Sequence, residues 1–440
     1  MKSQLIISSI TQGNGKTIFS LALARCLQNR DLKPQLYKCG PDVADTLLHA
    51  MVCNGGSYNL DTWLASRNHI KYVYNTHSET SDVSIIEGNG GLFDGYKRMQ
   101  GSTAEMAHLL NLPVVLVVSA KQVTYSLLPV LYGFKNLRKN IRIAGVVFNN
   151  VQSASQFNFL KDICREAGLD CFGYLPFDEN LKFASRQVIL TNDNKRHWTN
   201  IIELAMKLVQ QYVDIPSLLN AVTSVFPCPY TLPYSSEIEQ DLTLGYRRRL
   251  NVAVANDAAF CLPYQENIDR LKRTGNITYF SPVNSKNIPE SDLIYFPDGY
   301  VELFARVLHR RRPMLNQLKD FVEAGGKVLA EGSGIFPLVN SVITRSGGTS
   351  YQMAGVLPLD ITLADARMQT GLRKIDQAEC SIRGYESRIF SVLPHDSISP
   401  LPVLNQRSLE ADSYVYRYKN VFASLSRFFW GENDFPFSND

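Results

Sequence analysis

A short segment near the amino terminus has the residue types and the spacing that bind a phosphate chain. It lies between a predicted strand and a predicted helix, and its residues are Gly13, Asn14, Gly15, Lys16 and Thr17. Glycines let backbone N–H groups turn toward phosphate oxygens, and the start of the following helix adds partial positive charge. The lysine would reach the β- and γ-phosphates, and the threonine hydroxyl would be a ligand of Mg²⁺. The segment therefore predicts a P-loop that binds ATP and Mg²⁺; the alternative is a glycine-rich turn without a ligand.

Acidic side chains lie where the next strands end. Asp42 and Asp45 follow the strand predicted over 35–38, and Glu87 and Asp94 lie at and beyond the end of the strand predicted over 83–87. The carboxyl ends of parallel strands share one edge of a sheet, where such sheets bind ligands. A single aspartate is more often a turn residue or a helix cap. Several acidic groups beside a P-loop instead favour a Mg-ATP site, because carboxylates complete the metal shell.

Hydrophobic patterning predicts the elements that position these residues. Apolar runs without polar alternation indicate buried parallel strands, and they alternate with segments of helical periodicity. The predicted strands are 5–8, 35–38, 83–87, 114–118 and 143–149, and the predicted helices are 18–27, 104–110 and 157–167. This order predicts a doubly wound α/β domain with a mostly parallel sheet.

A change of composition predicts where the chain divides. Prolines and a run of arginines interrupt the alternation over residues 212–248, which we interpret as a linker. The predicted domains are therefore 1–211, which carries the P-loop, and 249–440. The second domain is also predicted to be α/β, with strands at 250–255, 277–280, 293–296 and 327–330 and one helix over 301–324.

Composition limits the classes of protein to consider. The chain has 440 residues, of which 45% are hydrophobic and 20% charged, so it is neither disordered nor a small disulfide scaffold. Its net charge of +4 gives no reason to expect a nucleic acid or a membrane as partner. The eight cysteines are scattered, and no signal peptide fits ahead of the P-loop, so we expect a cytoplasmic protein with reduced thiols.

Many motifs beyond the P-loop occur in one order along the chain. They include Lys38…Gly40-Pro41-Asp42…Asp45…His49, Glu87-Gly88…Gly91-Leu92-Phe93-Asp94-Gly95, Met353-Ala354-Gly355-Val356-Leu357-Pro358 and Arg383-Gly384…Glu386. With these motifs the chain resembles the cobyrinic acid a,c-diamide synthase family, the glutamine-dependent amidoligases of corrinoid synthesis. The resemblance implies a dethiobiotin-synthetase-like P-loop domain followed by a class I glutaminase-like α/β domain, and it makes a homodimer plausible.

The resemblance also implies a reaction and its residues. ATP would phosphorylate a carboxylate of the substrate, and ammonia would then displace the phosphate to give an amide. The implied catalytic residues are Lys38, Asp42, Asp45, Glu87 and Asp94. Thr17, Asp42, Asp45 and Glu87 would surround the metal, and Asp94 would orient the acceptor.

The chain departs from the family at the glutaminase site. Relatives have a cysteine nucleophile where this chain has Gly332, and a histidine base where it has Arg427. A glycine has no nucleophile, and a guanidinium cannot act as a base near neutral pH. Ser333 lies one residue late on a sharp turn, so we do not expect it to replace the cysteine. The chain alone is therefore predicted not to hydrolyse glutamine, and ammonia would come from solution or from a separate glutaminase.

Three hypotheses about function remain open at this point. The first is an ATP- and Mg²⁺-dependent amidoligase that acts on a corrinoid or a similar polycarboxylate. The second is a related, dethiobiotin-synthetase-like ligase with another acceptor, since Val43 and Ala44 are smaller than the residues of relatives. The third is a non-catalytic, nucleotide-binding partner of an active paralogue, although the retained Lys16, Thr17 and Glu87 argue against it.

Overall fold

The structure is a computed structural model that describes residues 1–53, 55–181, 192–229, 249–345, 348–364, 367–377, 380–395 and 397–432. The chain forms two compact units that divide between residues 234 and 235. This division falls within the predicted linker 212–248, of which residues 230–248 lie outside the described part. Residues 212–229 of the predicted linker belong to the first unit. The domain limits 211 and 249 stay a prediction.

The first unit is built on a parallel sheet with the strand order β3-β2-β4-β1-β5-β6-β7. Its strands are β1 (Lys2–Ser9), β2 (Pro34–Cys39), β3 (Tyr58–Leu60), β4 (Val83–Glu87), β5 (Val114–Ser119), β6 (Ile143–Val151) and β7 (Asp170–Pro176). A short strand, β8 (Thr223–Ser224), pairs with β1 in the antiparallel direction. The chain reverses its direction of travel across the sheet at β1, and this central strand leads directly into the P-loop.

Helices cover both faces of this sheet. They are α1 (Lys16–Gln28), α2 (Ala44–His49), α3 (Arg67–Ser78), α4 (Thr103–Leu110), α5 (Leu127–Asn136), α6 (Ala154–Ala167), α7 (Asn192–Tyr212) and α8 (Ile215–Ala221). Successive side chains of β1 point to opposite faces: Leu5 and Ile7 pack in the cluster that contains α1 and α7. Ile6 packs in the other cluster, with α3, α4 and α6. The predicted doubly wound α/β domain is confirmed.

The second unit contains a mixed sheet with the order β10-β9-β11-β12-β21-β20-β19-β16-β17-β22. Its first strands are parallel and are β9 (Leu250–Ala255), β10 (Gly275–Phe280), β11 (Leu293–Phe296), β12 (Lys327–Glu331) and β21 (Val421–Ser424). The others are antiparallel and are β16 (Gln369–Gln377), β17 (Cys380–Arg388), β19 (Leu401–Asn405), β20 (Glu410–Tyr418) and β22 (Arg427–Phe429). A small separate sheet contains β13 (Ser341–Ile343), β14 (Ser350–Gln352), β15 (Leu359–Thr362) and β18 (Ser391–Pro394).

The helices of the second unit differ from the prediction at one place. They are α9 (Gln265–Thr274), α10 (Ala305–His309) and α11 (Arg312–Glu323). The prediction of a single helix over 301–324 is wrong. A 3-10 turn forms at Val301–Leu303, and the α-helix that follows is interrupted after Arg310. Pro313 explains the second break: proline has no N–H to donate backward and fits only the first turn of a helix. None of the described helices has the length and apolar character needed to cross a bilayer.

Candidate functional site

The P-loop adopts a conformation that requires its glycines. β1 ends at Ser9 and α1 begins at Lys16. Gly13 and Gly15 between them have φ angles of 83° and 95°, in the left-handed region that glycine adopts without strain. A Cβ atom at Gly15 would also lie 2.1 Å from the side-chain nitrogen of Asn149. The glycines therefore allow both the turn and the close approach of a neighbouring strand end.

Two strand ends hold the loop in place. Asn14 Oδ1 accepts a hydrogen bond of 2.8 Å from the backbone N–H of Ser119, at the end of β5. Asn149, in β6, donates its side-chain N–H to the carbonyl oxygen of Asn14 at 3.0 Å. Asn14 was predicted to be a phosphate-loop residue, whereas no role was predicted for Asn149. The structure shows that both asparagines fix the loop against the edge of the sheet.

Lys16 is buried inside the loop and already makes polar contacts. Its Nζ donates to Ser9 Oγ at 2.8 Å and to the carbonyl oxygen of Gly90 at 2.6 Å. Burial, together with the nearby positive charge of Lys38, lowers the pKa of Lys16 to about 8. A negatively charged ligand would favour the protonated ammonium.

The carboxylate of Glu87, at the end of β4, joins three elements of the site. Its Oε1 accepts a hydrogen bond of 2.6 Å from Thr17 Oγ1 in α1 and one of 3.2 Å from Lys38 Nζ in β2. Its Oε2 lies 2.9 Å from Nε2 of His49 in α2. Burial alone would raise the pKa of Glu87, but the charge of Lys38 and the hydrogen bond from His49 hold it well below its usual range. Glu87 is therefore an anion beside the P-loop threonine.

Lys38 balances the acidic groups of this cluster. Its Nζ lies 2.5 Å from Asp45 Oδ2 and 3.2 Å from Glu87 Oε1, and the lysine side chain is almost completely buried. Burial opposes the charge, but the attraction of Asp45 and Glu87 is stronger and raises the pKa of Lys38 above its ordinary value. Lys38 is therefore a permanent cation between two predicted catalytic carboxylates.

His49 is a part of the site to which sequence analysis gave no role. Its Nδ1 lies 2.8 Å from Ser57 Oγ while its Nε2 faces Glu87, and the imidazole is fully buried. The two contacts fix the orientation of the ring and, through it, the second oxygen of Glu87. The available signal was its position in the motif that also contains Asp42 and Asp45.

Asp42 and Asp94 each stabilise a turn at the same edge of the sheet. Asp42 Oδ1 accepts a hydrogen bond of 3.1 Å from the backbone N–H of Ala44, at the start of α2. Asp94 Oδ2 accepts one of 2.8 Å from the backbone N–H of Gly91. Both carboxylates also act electrostatically on the buried lysines, Asp42 on Lys38 and Asp94 on Lys16. Asp42 and Asp94 can thus each stabilise a local turn and also act on the buried lysines of the site.

The oxygen atoms at this edge fit Mg²⁺ bound together with phosphates. Thr17 Oγ1 and Glu87 Oε1 are hard oxygen donors in direct contact at the start of α1. In the described ranges, no three His, Cys, Asp or Glu side chains are arranged to enclose a metal ion by themselves. Mg²⁺ usually takes only one or two protein carboxylates and fills its shell with phosphate oxygens and water. The residues therefore fit a metal that arrives with the nucleotide.

The predicted glutaminase position lies in the second unit, where β12 ends. Gly332 follows Glu331 there with a φ angle of 56°, in the left-handed region. A Cβ atom at Gly332 would lie 2.2 Å from Cγ of Asp298. The carboxylate of Asp298 thus occupies the space that a side chain at position 332 would need.

Asp298 is held by a complete set of partners. Its Oδ1 accepts hydrogen bonds from the backbone N–H groups of Gly299 and Ser333, each 2.8 Å long, and from Ser333 Oγ at 2.9 Å. Its Oδ2 lies 3.3 Å from Nη1 of Arg427, and both side chains are buried. The hydroxyl of Ser333 and the guanidinium of Arg427 therefore both face a carboxylate of the chain itself.

The thiol of Cys261, which feels the charge of Asp298, is not in the form that attacks a carbonyl. Burial, together with the negative charge of Asp298, raises the pKa of the Cys261 thiol to about 12, so the reactive thiolate is not formed near neutral pH. Burial raises the pKa of Glu331 to about 7, while a hydrogen bond of 2.7 Å from the Tyr295 hydroxyl opposes the shift. Asp298 was not predicted to be part of this site; the available signal was an acidic residue in the loop after β11.

Comparison with known sequences gives matches to both units. Residues 5–189 match the CobQ/CobB/MinD/ParA nucleotide binding domain, and residues 251–434 match the CobB/CobQ-like glutamine amidotransferase domain. The first match covers the P-loop and the Glu87 cluster, and the second covers Asp298, Gly332 and Arg427.

Similar proteins extend over most of the chain. A cobyrinate a,c-diamide synthase of Saccharolobus solfataricus is 30% identical over 368 residues, which are 82% of this chain and 81% of that protein. Proteins of the same name from Clostridium acetobutylicum and Salmonella typhimurium are each 33% identical, over 77% and 80% of this chain and 76% of their own lengths.

Substitution of Gly332 tests the packing at the end of β12. We expect Gly332→Ala to lower the free energy of unfolding by about 2 kcal/mol or more, because its left-handed φ and the contact with Asp298 both penalise a Cβ atom. The control is Gly348→Ala, at an exposed glycine with nothing within 4 Å of the added atom; it should change stability by less than about 0.5 kcal/mol. Urea unfolding measures both, and equal stability of the two variants would contradict the described contact.

Proposed function

The chain belongs to the cobyrinate a,c-diamide synthase family, and on that premise we propose that it is an ATP- and Mg²⁺-dependent amidoligase of corrinoid carboxylates. The observation that carries the proposal is the contact of the buried Glu87 carboxylate with both Thr17 and Lys38. A buried anion beside a P-loop threonine is costly unless it is paired, and here it is paired by the residues that phosphoryl transfer uses. The substrate is a cobyrinic acid-like corrinoid, and the product is its side-chain amide.

Two chemical steps account for the reaction. A carboxylate oxygen of the substrate attacks the γ-phosphorus of ATP, the bond to the β-phosphate oxygen breaks, and ADP leaves. The acyl phosphate that results is then attacked at its carbonyl carbon by ammonia. The C–O bond to phosphate breaks, inorganic phosphate leaves, and the nitrogen loses a proton to give the amide.

The residues of the first unit supply position and charge for these steps. Gly13 and Gly15 allow the loop to turn its N–H groups toward phosphates, and Lys16 supplies a cation there. Lys38 holds Asp45 and Glu87 by charge and contributes positive potential where negative charge is transferred.

Carboxylates complete the site. Thr17 and Glu87, with Asp42 and Asp45 nearby, would hold the magnesium ion, which when bound neutralises phosphate charge and favours displacement at phosphorus. Asp42 and Asp45 also position the substrate carboxylate, and Asp94 orients the acceptor from the turn that begins at Gly91.

Ammonia for the reaction comes from outside this chain. Gly332 has no nucleophilic side chain, and its space is filled by the Asp298 carboxylate. Arg427, in place of a base, is an ion-pair partner of Asp298. Free ammonia or a separate glutaminase therefore provides the nitrogen.

A second acceptor class is favoured by one observation. Val43, which comes directly before α2, is buried, so a small residue here shapes the wall beside Asp42 rather than the surface. A related ligase that acts on a different carboxylate or amine, as a dethiobiotin synthetase does, would use the same phosphate machinery. A non-catalytic, nucleotide-binding partner has no evident need for the paired cluster of Thr17, Lys38 and Glu87.

ADP release tests the proposed reaction. With Mg-ATP, cobyrinic acid and ammonium chloride, we expect ADP and amide to form in equal amounts, and ADP release to stop when cobyrinic acid is omitted. Lys16→Met should reduce the rate by about a hundredfold or more, because it removes a charge that contacts the transferred phosphate. The control is Lys207→Met, an exposed position of α7, which should retain the full rate.

The acceptor decides between the alternatives. ADP release with a small diamine and bicarbonate, but not with cobyrinic acid, would replace the corrinoid with another acceptor. Binding of ATP without release of ADP under any of these conditions would contradict the ligase and favour the non-catalytic partner.

The pH dependence of ATP binding tests the part of Lys16. Its pKa of about 8 in the free protein means that the ammonium is present below pH 8 and is lost as the pH rises further. The affinity for Mg-ATP should therefore be constant below pH 8 and should fall above it, by at most about tenfold per pH unit. Lys16→Arg stays charged, so its affinity should not show this decline. Isothermal titration calorimetry at pH 7 to 9.5 measures both, and parallel declines would exclude Lys16 as the cause.

A further inference from the structure

The surroundings of Asp298 have the chemistry of a site for a bound carboxylate. Three donors converge on Oδ1: the backbone N–H groups of Gly299 and Ser333 at 2.8 Å each, and Ser333 Oγ at 2.9 Å. The guanidinium of Arg427 approaches Oδ2 from the other side at 3.3 Å. Convergent backbone N–H groups beside a cation are the arrangement by which proteins bind anions.

The location of this carboxylate relates it to position 332. The space into which a side chain at Gly332 would extend is taken by Cγ and both oxygens of Asp298, at 2.2 to 2.6 Å from the added Cβ. Gly332 and Asp298 are therefore complementary, since any side chain at 332 would displace the carboxylate. The carboxylate is the acceptor of the Ser333 N–H, and it shares the Gly299 N–H with Ser333 Oγ, which lies 3.1 Å from that nitrogen.

We infer that the end of β12 in the second unit is a carboxylate-binding site that the chain fills with its own Asp298. The ligand class is a small monocarboxylate, no larger than the side chain that it replaces. Asp298 acts as an internal ligand that excludes outside carboxylates and amides from the Gly299 and Ser333 donors. This inference does not depend on the amidoligase reaction proposed for the first unit.

Burial explains why the site must be filled. Ser333, Asp298 and Arg427 are all nearly inaccessible to water. Buried N–H groups without an acceptor are costly, and a buried guanidinium that loses its anion is costlier still. The ring of Tyr264 lies 5.5 Å from the Arg427 guanidinium, and the carbonyl oxygen of Leu262 accepts a hydrogen bond of 3.4 Å from Arg427 Nη1. The Asp298 carboxylate thus accepts hydrogen bonds from the Gly299 and Ser333 N–H groups and forms an ion pair with Arg427.

Removal of the internal ligand tests the inference in the full-length protein. Asp298→Gly should lower the melting temperature by about 10 °C, because it leaves the donors and Arg427 without the carboxylate. Sodium formate or acetate should then raise the melting temperature of this variant in a saturable way, by several degrees relative to sodium chloride at the same ionic strength. Propionate, which is larger than the space created, should give a smaller increase.

Two further variants separate ligand binding from general stabilisation by salt. Asp298→Asn also removes the charge but fills the space with an amide, so it should be destabilised and should not respond to formate. Adding Arg427→Met to Asp298→Gly removes the cation, so the response to formate should be lost. Isothermal titration calorimetry of Asp298→Gly with formate should give one site for each chain.

Several results would overturn the inference. These are an unchanged melting temperature for Asp298→Gly, an equal response to formate and chloride, or an equal formate response in Asp298→Asn. If Asp298→Gly does not accumulate in soluble form, its refolding yield with and without formate replaces the melting experiment, and equal yields would contradict the site. The readout is independent of ligase activity, so a failure of the proposed function leaves this test unaffected.

Discussion

The site of the first unit depends on the contacts of one buried carboxylate, that of Glu87. It is buried at the end of β4 and receives a hydroxyl from α1, an ammonium from β2 and an imidazole from α2. An anion at this depth is tolerated only with such partners, so the positions of Thr17, Lys38 and His49 follow from one requirement. The parallel sheet makes the meeting possible, because β1, β2 and β4 are neighbours and end at the same edge.

The second unit satisfies the same physical requirement with a different outcome. Asp298 is buried at the end of β11 and is matched by Arg427 and by two backbone N–H groups. In the first unit the buried charges surround a loop suited to receive a ligand. In the second unit they are satisfied by one another, and the side chain of Asp298 takes the space beside Gly332. The buried charges of the first unit thus leave room for the proposed ligand, whereas in the second unit the side chain of Asp298 takes the place of one.

The parts of the fold that the sequence predicted are those with local signals. The strands of the first unit are continuous apolar runs, since both faces of the sheet are covered, and their ends located Asp42, Asp45, Glu87 and Asp94. The break after Arg310 was missed because the apolar periodicity continues through it, although Pro313 marked it. The contacts of Asp298 with Arg427 and of His49 with Glu87 were not predicted, because each joins distant parts of the chain; the motif located His49 but not its partner. The loss of a nucleophile at Gly332 was visible, whereas the carboxylate that fills its place was not.

The central claim is that this chain forms amides with ATP but does not produce the ammonia. The most direct measurement supplies nitrogen-15 ammonium and unlabelled glutamine together with Mg-ATP and cobyrinic acid, and determines the isotope in the product amide by mass spectrometry. The account predicts that the amide contains nitrogen-15 alone. An amide that contains unlabelled nitrogen from glutamine would contradict it, because the proposal gives Gly332, Asp298 and Arg427 no part in glutamine hydrolysis.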